Sequence, residues 1–366
     1  MLRLFRAQPV LVIAFAAAAA TMFIVPPGPD YAGYINYTVL IELFALMTAV
    51  AGLREAGVFD RAAGALIRRV GTVRRLGLLL VLLCFFSSML LTNDVALITF
   101  VPLTVMLFKD EEDEQLIRAV VLETAAANGG SMLTPVGNPQ NLFIYEHYGL
   151  SAGDFVRAMA PVGLVCLAAI FLLTFLLSGE ECKGGPGNTA EIKKAPAAGY
   201  SLLFLVCLLA VFREVPVWVC LPAAGAAALV FGPRTLLKVD YGLLMTFLCF
   251  FVFVGNLQAI DGVRSLFTGM IQGREVYVGA ALSQVISNVP AAFMLSGFTD
   301  DGAALLSGVD IGGFGTLIAS MASLISFQLY RKSPGARAGR YMAVFSAVNF
   351  GILILLLGVQ MLVSLV

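Results

Sequence analysis

The chain has 366 residues, 60% of them hydrophobic and 13% charged, with Lys+Arg and Asp+Glu balanced at 23 each. A soluble domain is about half apolar and about a quarter charged, so the excess apolar surface must face lipid or other buried helices. Balanced charge leaves no basic footprint for nucleic acid. One histidine (His147) and six cysteines without a Cys-x-x-Cys pair leave little material for a metal site or for Ser-His-Asp chemistry.

A membrane span needs about 20 mostly apolar residues. Conventional spans are expected at Pro9 to Val25, Asn36 to Leu53, Ala158 to Ser178, Ala198 to Phe212, Pro216 to Gly232, Tyr241 to Leu257 and Tyr341 to Val366. Arg3 and Arg6 before an alanine-rich run also fit a cleaved signal peptide, but Pro9 to Val25 is long enough to stay as a span. Two further spans, Arg118 to Tyr148 and Gly302 to Tyr330, are interrupted by polar, Gly and Pro residues. Two apolar regions, Leu76 to Phe108 and Val276 to Phe298, carry a polar break near the middle. In the first, Thr92-Asn93-Asp94 separates arms of roughly 21–24 Å, marginal for crossing and suited to a re-entrant hairpin. In the second, Ser287-Asn288 separates arms too short to cross.

With the N-terminus inside and both hairpins re-entrant, 19 Lys and Arg residues fall on the cytoplasmic side and 4 outside. That asymmetry fits the positive-inside rule and puts the C-terminus outside. The expected location is the bacterial cytoplasmic (inner) membrane, multi-pass.

An internal repeat is visible. Thr134-Pro135-Val136-Gly137-Asn138-Pro139-Gln140-Asn141-Leu142 aligns without gaps to Thr316-Leu317-Ile318-Ala319-Ser320-Met321-Ala322-Ser323-Leu324, with Gly130 opposite Gly312. Thr92-Asn93 aligns with Ser287-Asn288, and Tyr37, Leu40 and Leu53 with Tyr241, Leu244 and Leu257. Each half reads span, span, hairpin, broken span, span. The expected organisation is a first repeat over residues 1–178, a cytoplasmic loop and linking span over 179–215, and a second repeat of opposite polarity over 216–366. The fold class is therefore an all-α polytopic membrane protein with inverted-topology repeats, two re-entrant hairpins and two broken helices, a design common in secondary transporters.

Breaks at mid-membrane expose backbone groups that lipid cannot satisfy, so they must face protein or a wet cavity. Four breaks in paired positions point to one cavity, where half-helix N-termini suit an anion or a polar solute. The residues expected there are Thr92, Asn93 and Asp94; Thr134, Pro135, Gly137, Asn138, Pro139 and Asn141; Ser287, Asn288, Val289 and Pro290; and Thr316, Ser320 and Ser323. Asn138 before Pro139 is expected to cap the second half of its helix, and Asn93 or Asp94 and Ser287 or Asn288 to cap the second hairpin arms. Asp94 is the sharpest single residue. A carboxylate at mid-bilayer costs about 2.5–3.5 kcal/mol on insertion scales and calls for a cation or a proton. Its repeat counterpart is Val289, so the cavity is asymmetric in charge. Glu123 and Asp310, in the broken spans, are further candidate coupling carboxylates. Glu42 reads as a helix–helix hydrogen-bond partner, and Glu146 and His147 as interfacial. No metal or cofactor is expected beyond a coupling Na⁺ or H⁺.

At these residues the sequence resembles the ion transporter superfamily that includes ArsB arsenite permeases, NhaD sodium/proton antiporters and citrate or dicarboxylate/sodium symporters. The carriers are Leu91-Thr92-Asn93-Asp94-Val95-Ala96-Leu97, the run from Asn128 to Leu142 with its Thr-Pro-x-Gly-Asn-Pro-Gln-Asn string, Ser287-Asn288-Val289-Pro290, and Gly57-Val58-Phe59-Asp60. The likeness spans nearly the whole chain and is nearest to short bacterial anion permeases of the YbiR type. It implies a sodium- or proton-coupled permease, often a homodimer, whose hairpin tips and broken helices form the site. An Asn-Asp tip followed by an Asn-x-Pro tip is nearer the ArsB-like pattern than the Ser-Asn-Thr tips of dicarboxylate symporters.

The expected function is secondary active transport of a small inorganic oxyanion, an arsenite-like metalloid or a small organic anion. A sodium/proton antiporter using Asp94 is the alternative. No enzymatic activity is expected, and a non-transporting membrane scaffold does not require four paired breaks. The expected partners are a small-molecule or ion substrate and the lipid bilayer.

Overall fold

The structure, a computed structural model, describes residues 9–59, 61, 71–182 and 191–364. Arg3, Arg6, Asp60, Arg68, Arg69 and Lys183, used above for orientation and resemblance, lie outside the described residues. The described chain is helical apart from loops and one isolated bridge between Thr72 and Glu181. The α-helices longer than one turn are α1 (Pro9–Met22), α2 (Tyr37–Glu55), α3 (Val73–Leu91), α4 (Asn93–Leu107), α5 (Asp113–Ser131), α6 (Pro139–His147), α7 (Ala152–Leu173), α8 (Lys194–Val211), α9 (Cys220–Phe231), α10 (Tyr241–Gln258), α11 (Asp261–Ile271), α12 (Glu275–Ile286), α13 (Asn288–Ser296), α14 (Gly302–Ile311), α15 (Met321–Tyr330) and α16 (Ala338–Val363), with a single helical turn at Tyr31–Tyr34 and short 3-10 segments between them. Among the described residues, six helices are long and apolar enough to cross a membrane: α2, α3, α7 with its 3-10 extension to Leu176, α8, α10 and α16.

Helix starts at the ends of the bundle are fixed by short polar side chains. Asn36, Thr72, Ser151, Asp240 and Asp301 each accept a bond from a backbone N–H in the first turn of α2, α3, α7, α10 and α14. Such caps satisfy donors that have no intrahelical partner.

Both predicted polar breaks are chain reversals. The backbone turns at Thr92 (φ 76°, ψ 146°) between α3 and α4, and at Ser287 (φ 77°, ψ 153°) between α12 and α13. Non-glycine residues adopt such values only where the surroundings impose them, at a cost of order 1–3 kcal/mol. The return is direct: Phe108, just after α4, lies against Gly77 near the start of α3. Thr299, just after α13, donates to Glu275 at the start of α12 at 2.9 Å. Both apolar regions are therefore hairpins.

One expectation about length needs correction. The first arm is 19 residues rather than 16, because Thr72 caps it earlier than the apolar run suggests. At 1.5 Å per residue it reaches about 28 Å and is long enough to cross. Between Leu257 and Val276, outside the expected spans, α11 forms as an amphipathic element.

The packing is crossed. The first hairpin, α3/α4, packs on α5 and on α15, the second arm of the other broken helix. The second hairpin, α12/α13, packs on α14 and on α6, the second arm of the first broken helix. Helices α1, α2, α8, α9 and α10 pack among themselves beside this centre, and α7 and α16 pack on its broken helices.

Candidate functional site

The four interrupted elements meet through backbone contacts that repeat between the halves. The Asn93 N–H donates to the Gly137 carbonyl at 3.3 Å, and the Asn288 N–H donates to the Ala319 carbonyl at 2.9 Å. The Thr134 hydroxyl donates to the Met89 carbonyl, and the Thr316 hydroxyl donates to the Gln284 carbonyl at 2.9 Å. Each pair occupies matching positions in the repeat register. Matching glycines allow the approach. A Cβ on Gly130 would lie 1.9 Å from the Phe85 carbonyl oxygen and 2.5 Å from the Ser88 hydroxyl. A Cβ on Gly312 would lie 2.7 Å from the Ser283 side chain and 2.8 Å from Ala280. The breaks also share backbone shape, with Asn138 at φ −144°, ψ 148° and Ser320 at φ −138°, ψ 135°.

The halves are then stitched to each other by side chains. Asn128 is the hub. Its Oδ1 accepts from Asn93 Nδ2 at 3.1 Å and from Ser320 Oγ at 3.1 Å, and its Nδ2 donates to the Gly313 carbonyl at 3.3 Å. Asp310 holds the register position equivalent to Asn128 and accepts from Gln140 Nε2 at 3.0 Å. The Asn138 and Asn141 side chains lie close to the same carboxylate. Each first arm therefore carries a polar group that receives the opposite break.

Caps were expected from Asn138, from Asn93 or Asp94, and from Ser287 or Asn288, and the structure corrects this in part. Asn93 Oδ1 accepts from the Asp94 N–H at 2.9 Å in the first turn of α4, whereas Asn138 and Ser287 make no side-chain cap bond, and neither do Thr92 and Ser320. The Asn138 Oδ1 is buried without a partner, as are Asp94 Oδ1, Asp310 Oδ2 and Ser323 Oγ. The Asn138 side chain lies near Asp310 across the repeat interface and makes no bond to its own first turn. The N-termini of α4, α6, α13 and α15 thus meet in one region with donors and acceptors in excess. A helix N-terminus carries about half a positive charge.

The remaining predicted residues fall as follows. Asn141 donates to the carbonyls of Ser131 (3.1 Å) and Thr134 (3.2 Å), bracing the bend that holds Pro135 and Gly137. Val289 and Pro290 lie in the first turn of α13. Asp94 is half-buried in the first turn of α4, with Asp240 within electrostatic range. Glu123 is not drawn into the network. It accepts from Thr104 on α4 and sits more than a turn before Asn128 in α5. Glu42 makes no helix–helix hydrogen bond of the kind expected through its Oε2, which is buried and unpartnered. It faces Glu146 and Arg213 electrostatically, and Arg213 lies 3.7 Å from Glu146.

Three contributors were missing from the sequence-based set: Asn128, Gln140 and Gln284. Gln284 donates to the Gly312 and Phe314 carbonyls at 2.8 and 2.9 Å and accepts from the Thr316 N–H at 2.8 Å, replacing the proline that rigidifies the first break. The register that pairs Gly130 with Gly312 also pairs Asn128 with Asp310, and that signal was available. A cavity of about 830 Å³, lined among others by His147, Gln258, Arg264, Glu275 and Asp300, lies apart from the network and touches neither hairpin tip.

A family model described as Citrate transporter matches residues 1–311. The chain belongs to this family. Among its relatives is the inner membrane protein YbiR of Escherichia coli (strain K12), 35% identical over 314 residues, covering 84% of each chain. A transporter of Methanocaldococcus jannaschii is 33% identical over 314 residues, with 85% of each chain covered. A silicon efflux transporter of Oryza sativa subsp. japonica is 28% identical over 198 residues, spanning 52% of this chain and 41% of that protein. The crystal structure of the Alcanivorax borkumensis YdaH transporter, described as having an unusual topology, superposes with a TM-score of 0.60 at 13% identity. The match covers 97% of this chain and 96% of that one. The resemblance to ion transporters of the YbiR type and the helical membrane fold are thereby established. The citrate transporter family member described here is a membrane transporter.

Proposed function

We propose that this family member is a proton- or sodium-coupled permease of a small anion or metalloid hydroxide, with its site at the hairpin tips and breaks. One observation carries the reading. The N-termini of α4, α6, α13 and α15 are joined into one hydrogen-bonded cluster, and none of the residues that precede them, Thr92, Asn138, Ser287 and Ser320, makes a side-chain cap bond. Their free N–H groups and dipoles favour negative charge or a polar solute. Citrate, named by the family description, is an organic anion, and silicon is named for the rice relative. Both suit a site built from backbone donors and amide side chains.

The carboxylates supply the coupling. Asp94 and Asp310 each carry a buried oxygen without a partner, and among the described residues no basic side chain is bonded to either. A carboxylate beside an anion site opposes its ligand unless a proton or a cation accompanies it. Asp94 in the first turn of α4 would carry that cation. The second reading, a sodium/proton antiporter, rests on the same Asp94 Oδ1 and needs no anion. In either case residues 1–178 and 216–366 form oppositely oriented repeats, the N-terminus is cytoplasmic and the C-terminus is outside, and both hairpins are re-entrant. Cysteine labelling of the tips supports this topology if positions 93 and 288 are sealed from bulk water on both sides.

The deciding experiment is flux into liposomes holding the purified protein, against a panel of oxyanions, arsenite, silicic acid and citrate, with proton or sodium gradients imposed separately. Gradient-dependent uptake or extrusion of one solute is the expected result. Proton/sodium exchange without any solute selects the antiporter. Absence of both leaves a scaffold and overturns the reading.

A further inference from the structure

A cleft of about 310 Å³ opens on the outside of the bundle between α5, the 3-10 turn after α7, and α16. It touches none of the hairpin tips or breaks. Its two ends differ in chemistry. At one end stand Glu114 and Arg118 on α5 and Arg340 on α16. From there Leu122, Val344, Ala347 and Val348 line the cleft with apolar surface. The run from Arg340 to Val348 is roughly 12 Å along the helix axis, and that from Glu114 to Leu122 is the same. Ala343 and Ala347 are exposed and too small to fill the space between the helices.

The charges at the mouth do not cancel. Arg340 holds both oxygens of Glu114, at 2.9 and 2.8 Å. Arg118 lies 3.3 Å from the same carboxylate and donates to the Leu176 carbonyl at 2.6 Å. The neighbouring Asp113 is taken by Arg337 at 2.6 Å. Within this ion-pair cluster of described residues, three guanidinium groups face two carboxylates, leaving one positive charge. The Arg340 side chain remains 52% exposed and that of Arg118 32%. The mouth is cationic, hydrogen-bonding and partly open, and the body is apolar.

We propose that this cleft binds an anionic phospholipid, with the phosphate against Arg118 and Arg340 and one acyl chain along Leu122, Ala347 and Val348. Complementarity selects this occupant. A zwitterionic headgroup brings its own cation to a mouth that already has one in excess. A soluble anion would leave the apolar body empty. Basic pockets between transmembrane helices take anionic headgroups by this chemistry. Because the cleft joins the first arm of one broken helix to the last helix of the chain, the lipid would bridge α5 to α16. The site does not depend on which solute the protein carries.

The test is lipid retention by the delipidated full-length protein, read by native mass spectrometry after incubation with phosphatidylglycerol or phosphatidylcholine of identical acyl chains. About a tenfold preference for phosphatidylglycerol is expected. Arg118→Gln with Arg340→Gln should bring it down to the phosphatidylcholine level. Ala347→Phe, which keeps every charge but fills the body, should also abolish it. Glu114→Gln, which frees the arginines, should raise retention, whereas a purely structural ion pair would predict no gain. Equal retention of the two lipids by the unmodified protein overturns the proposal without reference to any variant. Displacement of the lipid by millimolar inorganic phosphate, or undiminished binding in Ala347→Phe, overturns it as well, since either would reduce the site to a surface anion contact.

Discussion

Replacing Asn128 by leucine tests the hub of the crossed network. The side chain is 5% exposed and makes three hydrogen bonds, to Asn93, Ser320 and the Gly313 carbonyl. Leucine is similar in size but leaves all three partners unmatched. At about 1 kcal/mol for each orphaned group, the loss is about 3 kcal/mol. That corresponds to a shift of roughly 150-fold in the equilibrium between the joined and separated arrangements. Thermal unfolding in detergent should fall by roughly 5 °C or more, and solute flux in liposomes should be lost. Asn128→Asp separates the network from its charge. It keeps both acceptor contacts but places a buried carboxylate oxygen against the Gly313 carbonyl, so it should destabilise by about 2.5–3.5 kcal/mol when ionised and by less at low pH, where its proton restores the donor. If Asn128→Leu melts and transports as the unmodified protein does, water replaces these bonds freely and the network does not hold the four N-termini together.

Asp94→Asn preserves shape and most hydrogen bonds but cannot carry charge. It should fold normally and lose gradient-driven accumulation, whereas retained uphill transport with unchanged ion dependence would transfer the coupling role to Asp310 or Glu123. Gly137→Ala places a Cβ 2.1 Å from the Ser131 carbonyl oxygen. Backbone there cannot move aside cheaply, so a loss of about 1–3 kcal/mol and a lower melting temperature are expected. Thr134→Val and Thr316→Val each remove one equivalent tie between a break and its hairpin. Both should destabilise by about 1 kcal/mol, and a large difference between them in a melting assay would show that the two halves are not energetically equivalent.

Composition alone determined that this protein lies in a membrane, because no soluble fold can shelter so many apolar residues with so few charges. Local chemistry determined most of the elements. The apolar runs became helices, and Thr92-Asn93 and Ser287-Asn288 became chain reversals. The repeat register from Gly130/Gly312 through Gly137/Ala319 named positions that carry matching bonds. Tertiary structure decided what those positions do. Asn138 has the sequence of a helix cap, yet its side chain makes no cap bond and lies near Asp310, distant in the chain but adjacent in space. Asn128 looks like a small polar filler until Ser320 from the other half meets it. Glu123 sits in a broken span like Asp310, but the rotation of α5 aims it at Thr104 and away from the tips. Asn128 and Asn138 are the same residue type locally, as Glu123 and Asp310 are both carboxylates. What separates them is which partner arrives across the repeat interface, and a linear pattern carries no record of that.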